Sequence, residues 1–176
     1  MIIKTKFKGL IVINNMSHKD KRGYFKEILK EIDIKSKFPF LVMSHSKKNI
    51  LRGLHIQTKN PQGKYLSVIK GKIFDVCLDL RKNSKTFGKY YSLILSEKNS
   101  KSIYIPPGFA HGFCTLDEES YVVYSCTQYR NAKSEIGIKY NDEDLKINWP
   151  KRKFSISEKD INNFSFAEFK DKFKNV

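Results

Sequence analysis

The sequence predicts an all-β fold, a sandwich or jelly-roll barrel with one short C-terminal helix, on three observations. Short runs rich in Ile, Val, Tyr and Phe recur between clusters of Gly, Pro, Asn and Lys, and none is long. The clearest run, Tyr121 to Tyr129, alternates with the period of two expected of a half-buried strand. Only after Ser165 does the apolar spacing become helical.

Taken in order, the candidate strands are Leu10 to Ile13, Tyr65 to Ile69, Ile73 to Leu80, Tyr90 to Leu95, Ser102 to Ile105, Gly112 to Thr115 and Tyr121 to Tyr129. Each is a β-branched or aromatic run bounded by turn-forming residues. In the last, Val122, Tyr124, Cys126 and Gln128 share one face, while Tyr121, Val123, Ser125, Thr127 and Tyr129 share the other. Tyr124 and Tyr129 are therefore expected to point opposite ways. Near the end, Ser165 and Glu168 have capping-box spacing, with Phe166, Phe169 and Phe173 following at helical intervals. That Phe stripe is expected to pack on the barrel as core. The sequence contains no internal repeat, linker or low-complexity segment, so residues 1–176 are read as one domain. Within it, an N-terminal arm runs to about residue 40, a barrel covers about 41–150, and a helical tail covers about 151–176.

A chain of 176 residues with 40% hydrophobic content suits a single sizeable core, and two domains would be cramped. The formal charge of +16 favours anionic partners such as nucleotides or acidic surfaces. Its lysines, however, are scattered from Lys4 to Lys174 without a dense basic tail, which fits a solvated surface with a few residues recruited to bind phosphate. Cys77, Cys114 and Cys126 lie in apolar runs without C-x-x-C spacing and read as reduced core thiols. The start, MIIKTKFKGL, lacks the h-region of a signal peptide, and no run approaches the roughly 18 apolar residues of a membrane span. A cytoplasmic protein is expected.

The chemistry is concentrated in two segments. Pro106-Pro107-Gly108-Phe109-Ala110-His111 fits a P-x-G-x-x-H turn that aims a histidine into a cupin-type barrel. Where a metal-binding cupin would show His-x-His, a Glu and then a Gly, this chain has His55, Gln57, Lys64 and Gly71. Two ligands are missing, and an ammonium at Lys64 repels a divalent cation, so no metal and no cofactor are expected.

RGYFKE at Arg22 to Glu27, LRGLHIQ at Leu51 to Gln57, QGK at Gln62 to Lys64, FDVCLDLRKNSKTFGK at Phe74 to Lys89, IPPGFAHGF at Ile105 to Phe113 and INWP at Ile147 to Pro150 occur in this order. Together they resemble the dTDP-4-dehydrorhamnose 3,5-epimerase family, cupin-fold dimers that act on nucleotide-linked 4-keto-6-deoxy sugars. The resemblance implies a His base held by an Asp, a Lys at the substrate oxygen and a Tyr acid, which fall on His55, Asp160, Lys64 and Tyr124. It also implies a homodimer in which Arg22, Phe25 and Glu27 touch the nucleotide of the neighbouring subunit. Arg52, Gln57, His111 and Tyr129 complete the expected substrate contacts. Family members commonly carry a Gln-x-Asn element ahead of LRGLH, whereas this chain has Val42, Met43 and Ser44, with His45 as a partial stand-in. That departure leaves open GDP-linked heptoses and inversion of a single carbon.

The residue chemistry stands beside the resemblance. A 4-keto group acidifies both neighbouring C–H bonds, and epimerisation then needs a base on one face, an acid on the other and a donor at the enolate oxygen. His55 supplies the base, Lys64 the oxyanion charge with Arg52 as a second cation, and Tyr124 the acid. Each has a plainer reading: a satisfied core histidine, a loop lysine, an aromatic core filler. Ser157-Glu158-Lys159-Asp160 is also a capping pattern, and His111 reads as a substrate ligand or as a partner of Asp75. Asp79 and Arg81 fit a strand-end ion pair as well as a site, and Arg130 fits the rim. Two other functions compete, a metal-dependent cupin enzyme and a basic module that grips nucleotide or nucleic acid without chemistry; the sequence lacks an aromatic-basic signature such as an RNP motif, so no nucleic-acid partner is expected.

Overall fold

The computed structural model describes residues 1–150 and 153–173, so the expected start of the tail at about residue 151, and Lys174, lie outside it. The strands in chain order are β1 (Ile2–Lys4), β2 (Ile11–Asn14), β3 (Ser17–Asp20), β4 (Gly23–Lys26), β5 (Phe40–Lys47), β6 (Leu51–Gln57), β7 (Lys64–Lys70), β8 (Lys72–Asp79), β9 (Tyr90–Ser96), β10 (Lys101–Ile105), β11 (Phe109–Thr115), β12 (Glu119–Cys126) and β13 (Glu135–Gly137). Among the described residues the α-helices are short: α1 (Glu31–Ile34), α2 (Glu158–Ile161) and α3 (Phe166–Lys172).

Two antiparallel sheets pack as a sandwich. One has six strands in the order β1-β2-β10-β7-β12-β5, and the other has five in the order β13-β6-β11-β8-β9. Val12, Leu66, Val68, Ile103 and Val122 of the first meet Ile73, Cys77, Leu95, Phe109 and Phe113 of the second in one buried cluster. The five-stranded sheet is covered on its outer face too, where Leu54, Ile56, Val76, Leu78 and Ala110 pack under Leu145, Phe166 and Phe169. Burial on both faces explains why β11 and much of β8 read as continuous apolar runs rather than as alternation. At α3 both halves of the capping box form: the Ser165 amide donates to Glu168 at 2.7 Å and the Glu168 amide donates to Ser165 Oγ at 3.1 Å. Trp149 of the INWP segment also packs on this outer face and donates its indole N–H to the Tyr140 carbonyl at 2.8 Å.

Every expected strand is present, shifted at its ends by a few residues. Three features differ. The expected N-terminal arm contributes β1 and β2 to the large sheet, because β2 pairs with β10, so the sandwich begins at residue 2. The strands β5, β6 and β13 and the β3–β4 hairpin carry too many polar or glycine residues to stand out. The last expected strand stops at Cys126, three residues short of Tyr129. All three cysteines are buried and unbridged.

Candidate active site

A cavity of about 490 Å³ opens between the sheets. The five-stranded sheet lines it with Arg52 and His55 from β6 and His111 from β11. Facing them, the six-stranded sheet supplies Val42 and Ser44 from β5, Lys64 from β7, and Tyr124 and Cys126 from β12. Asp160 of α2 closes one side.

His55 and His111 are directly opposed across the β6–β11 ladder, which slips in register between His111 and Phe113. The slip needs two glycines in contact. Gly53 has φ +110°, and a Cβ there would lie 2.6 Å from both Gly112 Cα and the His111 carbonyl oxygen. A bare backbone at Gly53 also leaves its amide free to donate to Asp160 Oδ2 at 3.1 Å. The other carboxylate oxygen lies 2.5 Å from His55 Nε2. Burial works against the Asp160 charge, but the bonds from His55, Gly53 and Asn163 prevail and hold the carboxyl below the usual range. An ionised Asp160 only accepts, so His55 Nε2 carries the proton and the lone pair sits on Nδ1. Ser157 caps α2 by accepting the backbone N–H of Asp160 at 3.2 Å. The two sequence readings of this segment are thus compatible: the cap uses the Asp160 backbone, and its carboxylate is left for His55.

On the facing sheet, Lys64 has no carboxylate within ion-pair distance among the described residues, and burial pushes its pKa below the ordinary lysine value. An anion placed beside it restores the charged form. Burial likewise raises the Tyr124 phenol above its ordinary range, opposed by a 3.1 Å hydrogen bond between its hydroxyl and Ser44 Oγ. The Tyr124 ring stands edge-on to His111, with centroids 6.2 Å apart. His111 is only 5% exposed and its Nε2 lies 2.7 Å from Oδ2 of Asp75, which is fully buried. It lines the cavity as well, so both sequence readings of His111 describe one residue.

Arg52 is aimed by its neighbours, donating from Nε to Ser46 Oγ at 2.9 Å and from Nη2 to the His45 carbonyl at 3.0 Å. At the rim, Glu135 accepts from Arg130 Nε at 3.0 Å and from Lys159 Nζ at 2.5 Å. Burial opposes ionisation of Glu135, yet these two cations and the nearby His55 hold its carboxyl at about 2.

A family model described as dTDP-4-dehydrorhamnose 3,5-epimerase matches residues 4–168. The chain belongs to this family. A relative of that name from Methanothermobacter thermautotrophicus is 43% identical over 168 residues, covering 91% of each chain. A Legionella pneumophila dTDP-6-deoxy-D-glucose-3,5-epimerase, solved in complex with dTDP-4-keto-L-rhamnose, is 38% identical with TM-score 0.89, over 93% of this chain and 90% of that one. The Bacillus anthracis dTDP-4-dehydrorhamnose 3,5-epimerase, solved with TDP and PPi bound, is 34% identical with TM-score 0.90, over 94% of this chain and 98% of that one. The protein is an isomerase of the epimerase type, built on the cupin-like sandwich of its relatives.

In this epimerase, five of the expected residues, His55, Lys64, His111, Tyr124 and Asp160, converge on one cavity with Arg52 at its mouth. Others do not reach it. Gln57 points away: its amide nitrogen donates to the Asn60 carbonyl at 2.7 Å and its oxygen accepts the Asn131 amide at 2.8 Å, so it braces a turn instead of holding substrate. Tyr129 lies beyond the end of β12, 66% exposed against Phe40, and its separation from Tyr124 comes from the strand ending rather than from alternation. Arg22, Phe25 and Glu27 sit on or beside the β3–β4 hairpin, outside the cavity lining. There Arg22 folds back on Asp20, Glu27 pairs with Lys30, and Phe25 is 68% exposed. His45 does not stand in for the missing amides, because it faces outward, stacked on Tyr121 and bonded to Glu119 at 3.0 Å. Asp79 and Arg81 form the structural ion pair: two 2.8 Å bonds link them, and the buried carboxylate also gathers the Ser84 and Thr86 hydroxyls. A larger groove of about 910 Å³ near Lys6, Arg81 and Lys85 is lined by none of the histidines. Phe40 and Glu135 line the cavity and escaped the sequence reading, since neither belongs to a motif. Ser44 was named there only as standing in the region of the family's Gln-x-Asn element, and its role was not read.

Proposed function

We propose that the enzyme inverts C3 and C5 of a dTDP-linked 4-keto-6-deoxyhexose, converting dTDP-4-dehydro-6-deoxyglucose to dTDP-4-dehydrorhamnose without a cofactor. The observation that carries this reading is the mounting of a carboxylate-held histidine and a half-buried tyrosine on opposite sheets of one cavity, with a lysine on the tyrosine's sheet that has no carboxylate partner among the described residues. His55 Nδ1 removes the proton next to the ketone. The electron pair moves into the enolate, whose oxyanion bonds to Lys64, and Asp160 stabilises the imidazolium. Tyr124 then delivers a proton to the opposite face of the carbon and is left as phenolate. Proton exchange with solvent resets both groups, and the sequence repeats at the second carbon. Arg52 is placed to meet a phosphate, in keeping with the diphosphate ligands of the solved relatives. The active species is a homodimer in which the β3–β4 hairpin of one subunit brings Arg22, Phe25 and Glu27 to the nucleotide of the other.

The test is deuterium wash-in followed by NMR, with dTDP- and GDP-linked 4-keto-6-deoxy sugars offered separately. Exchange and inversion at both carbons of the dTDP sugar are expected. Inversion at one carbon alone, or turnover only of the GDP sugar, would reassign the substrate.

A further inference from the structure

Tyr124 is a reluctant acid as it stands, because its phenol is buried and an apolar surround disfavours the phenolate that proton delivery leaves behind. Only one side chain among the described residues hydrogen-bonds its hydroxyl, Ser44 at 3.1 Å. On the β12–β5 ladder Tyr124 is opposite Val42, and Ser44 is opposite Val122. Ser44 is therefore the diagonal neighbour of Tyr124 on the cavity face, close enough for a long side chain to touch. Its strand neighbour His45 turns away, stacked on Tyr121. The rest of the surround includes the apolar Val42 and Phe113 and the Cys126 thiol, with Arg52 as a positive charge that also favours the phenolate but makes no hydrogen bond to it among the described residues.

We propose that Ser44 is a positioning residue for the acid of the epimerisation, holding the Tyr124 hydroxyl in its delivering orientation and then donating its own O–H to the phenolate. This rests on the reading of Tyr124 given above. In the resting site the serine hydroxyl donates to the Tyr124 oxygen at 3.1 Å, which leaves the phenol O–H directed at the carbon. Once that proton has gone to carbon the same serine O–H donates to a phenolate, so a neutral bond becomes a charge-assisted one as the transition state is passed. A hydroxyl does both; an aliphatic side chain there does neither.

The experiment compares Ser44→Ala, Ser44→Thr, Tyr124→Phe and the Ser44→Ala/Tyr124→Phe double variant with wild type on dTDP-4-keto-6-deoxyglucose in deuterated buffer, following exchange with retention and inversion in one NMR time course. Ser44 is half-buried on an edge strand, so its replacement leaves the fold intact. Ser44→Ala is expected to lower inversion by roughly 10- to 100-fold, the size of a lost hydrogen bond to a charged group, while His55-side exchange persists. Ser44→Thr should restore inversion, and Ser44→Ala should add nothing in the Tyr124→Phe background. Wild-type partitioning in Ser44→Ala, additive losses in the double variant, or a parallel fall in exchange and inversion that Thr does not rescue would each overturn the proposal. The reading of Tyr124 fails separately: a Tyr124→Phe enzyme that inverts like wild type removes the acid, and the role of Ser44 with it.

Discussion

A histidine serves as a base toward substrate when its other nitrogen is committed, and the 2.5 Å bond to Asp160 commits Nε2 of His55. His55→Asn keeps a side chain of similar reach but removes the titrating lone pair. It is expected to abolish exchange at both C3 and C5, a loss of at least about 10²-fold, with nucleotide binding by calorimetry nearly unchanged. Exchange at the wild-type rate would take His55 out of the mechanism. At this scale the site was legible wherever chemistry needs a rare residue type: a histidine before a lysine where a metal site would have a carboxylate, and a second histidine after a Pro-Pro-Gly turn. It was not legible at Glu135, which depends on what two distant segments bring together, and at Ser44 only the position was legible, because its bond to Tyr124 depends on which way a strand faces. Gln57 misled for a related reason. It shares the strand parity of His55, but it lies at the end of β6, where neighbouring turn backbone takes both ends of its amide.

Among the elements, β6 does the most positioning, since it carries Arg52, Gly53 and His55 and receives Asp160. Gly53→Ala meets both a positive φ and a 2.6 Å approach to the Gly112 backbone. The strained backbone alone costs about 1–3 kcal/mol, and relieving the clash must part β6 from β11. The expected outcome is a lowered thermal midpoint together with a fall in kcat larger than the stability loss explains, because the Asp160–His55 bond moves with the strand. A variant that melts lower yet turns over normally at low temperature would show that the close approach is structural only. The fold could be read from the strands of the sandwich centre, whose β-branched and aromatic residues are selected by burial. It could not be read from β5, β6 or β13, where edge exposure or the cavity itself selects Ser, His, Arg and Gly. The capping box and Phe stripe of α3 were plain because both are local patterns and the apolar one is answered by a buried face.

For the whole molecule, acid is the expected weakness. Glu135 is held at about 2 against an ordinary 4.5, and Asp160 is also depressed. A depressed carboxylate contributes stability that is complete above its unfolded pKa and is lost as pH falls through the folded one. For Glu135 that window runs from about 4.5 down to about 2, and once solvent screening is allowed for the loss is about 1–2 kcal/mol. Glu135→Gln should flatten this part of a urea-midpoint profile; an unchanged acid slope would show that Glu135 does not set it. The proposed dimer makes a different prediction. If Arg22 and Phe25 serve the neighbouring subunit, then His55→Asn and Arg22→Ala/Phe25→Ala chains, each inactive alone, should recover about a quarter of wild-type activity when co-assembled, since half the dimers are mixed and each mixed dimer has one intact site. No recovery would place the hairpin in its own subunit's site or in none. Because His55 rides on one sheet and Tyr124 on the other, the gap that a sugar ring would span between the proposed base and acid is set by the thickness of the sandwich. Trimming the filling between the layers, as Ile103→Val does at a cost of about 0.5–1.5 kcal/mol, should let them settle closer and slow inversion, which uses both His55 and Tyr124, by more than exchange, which does not use Tyr124.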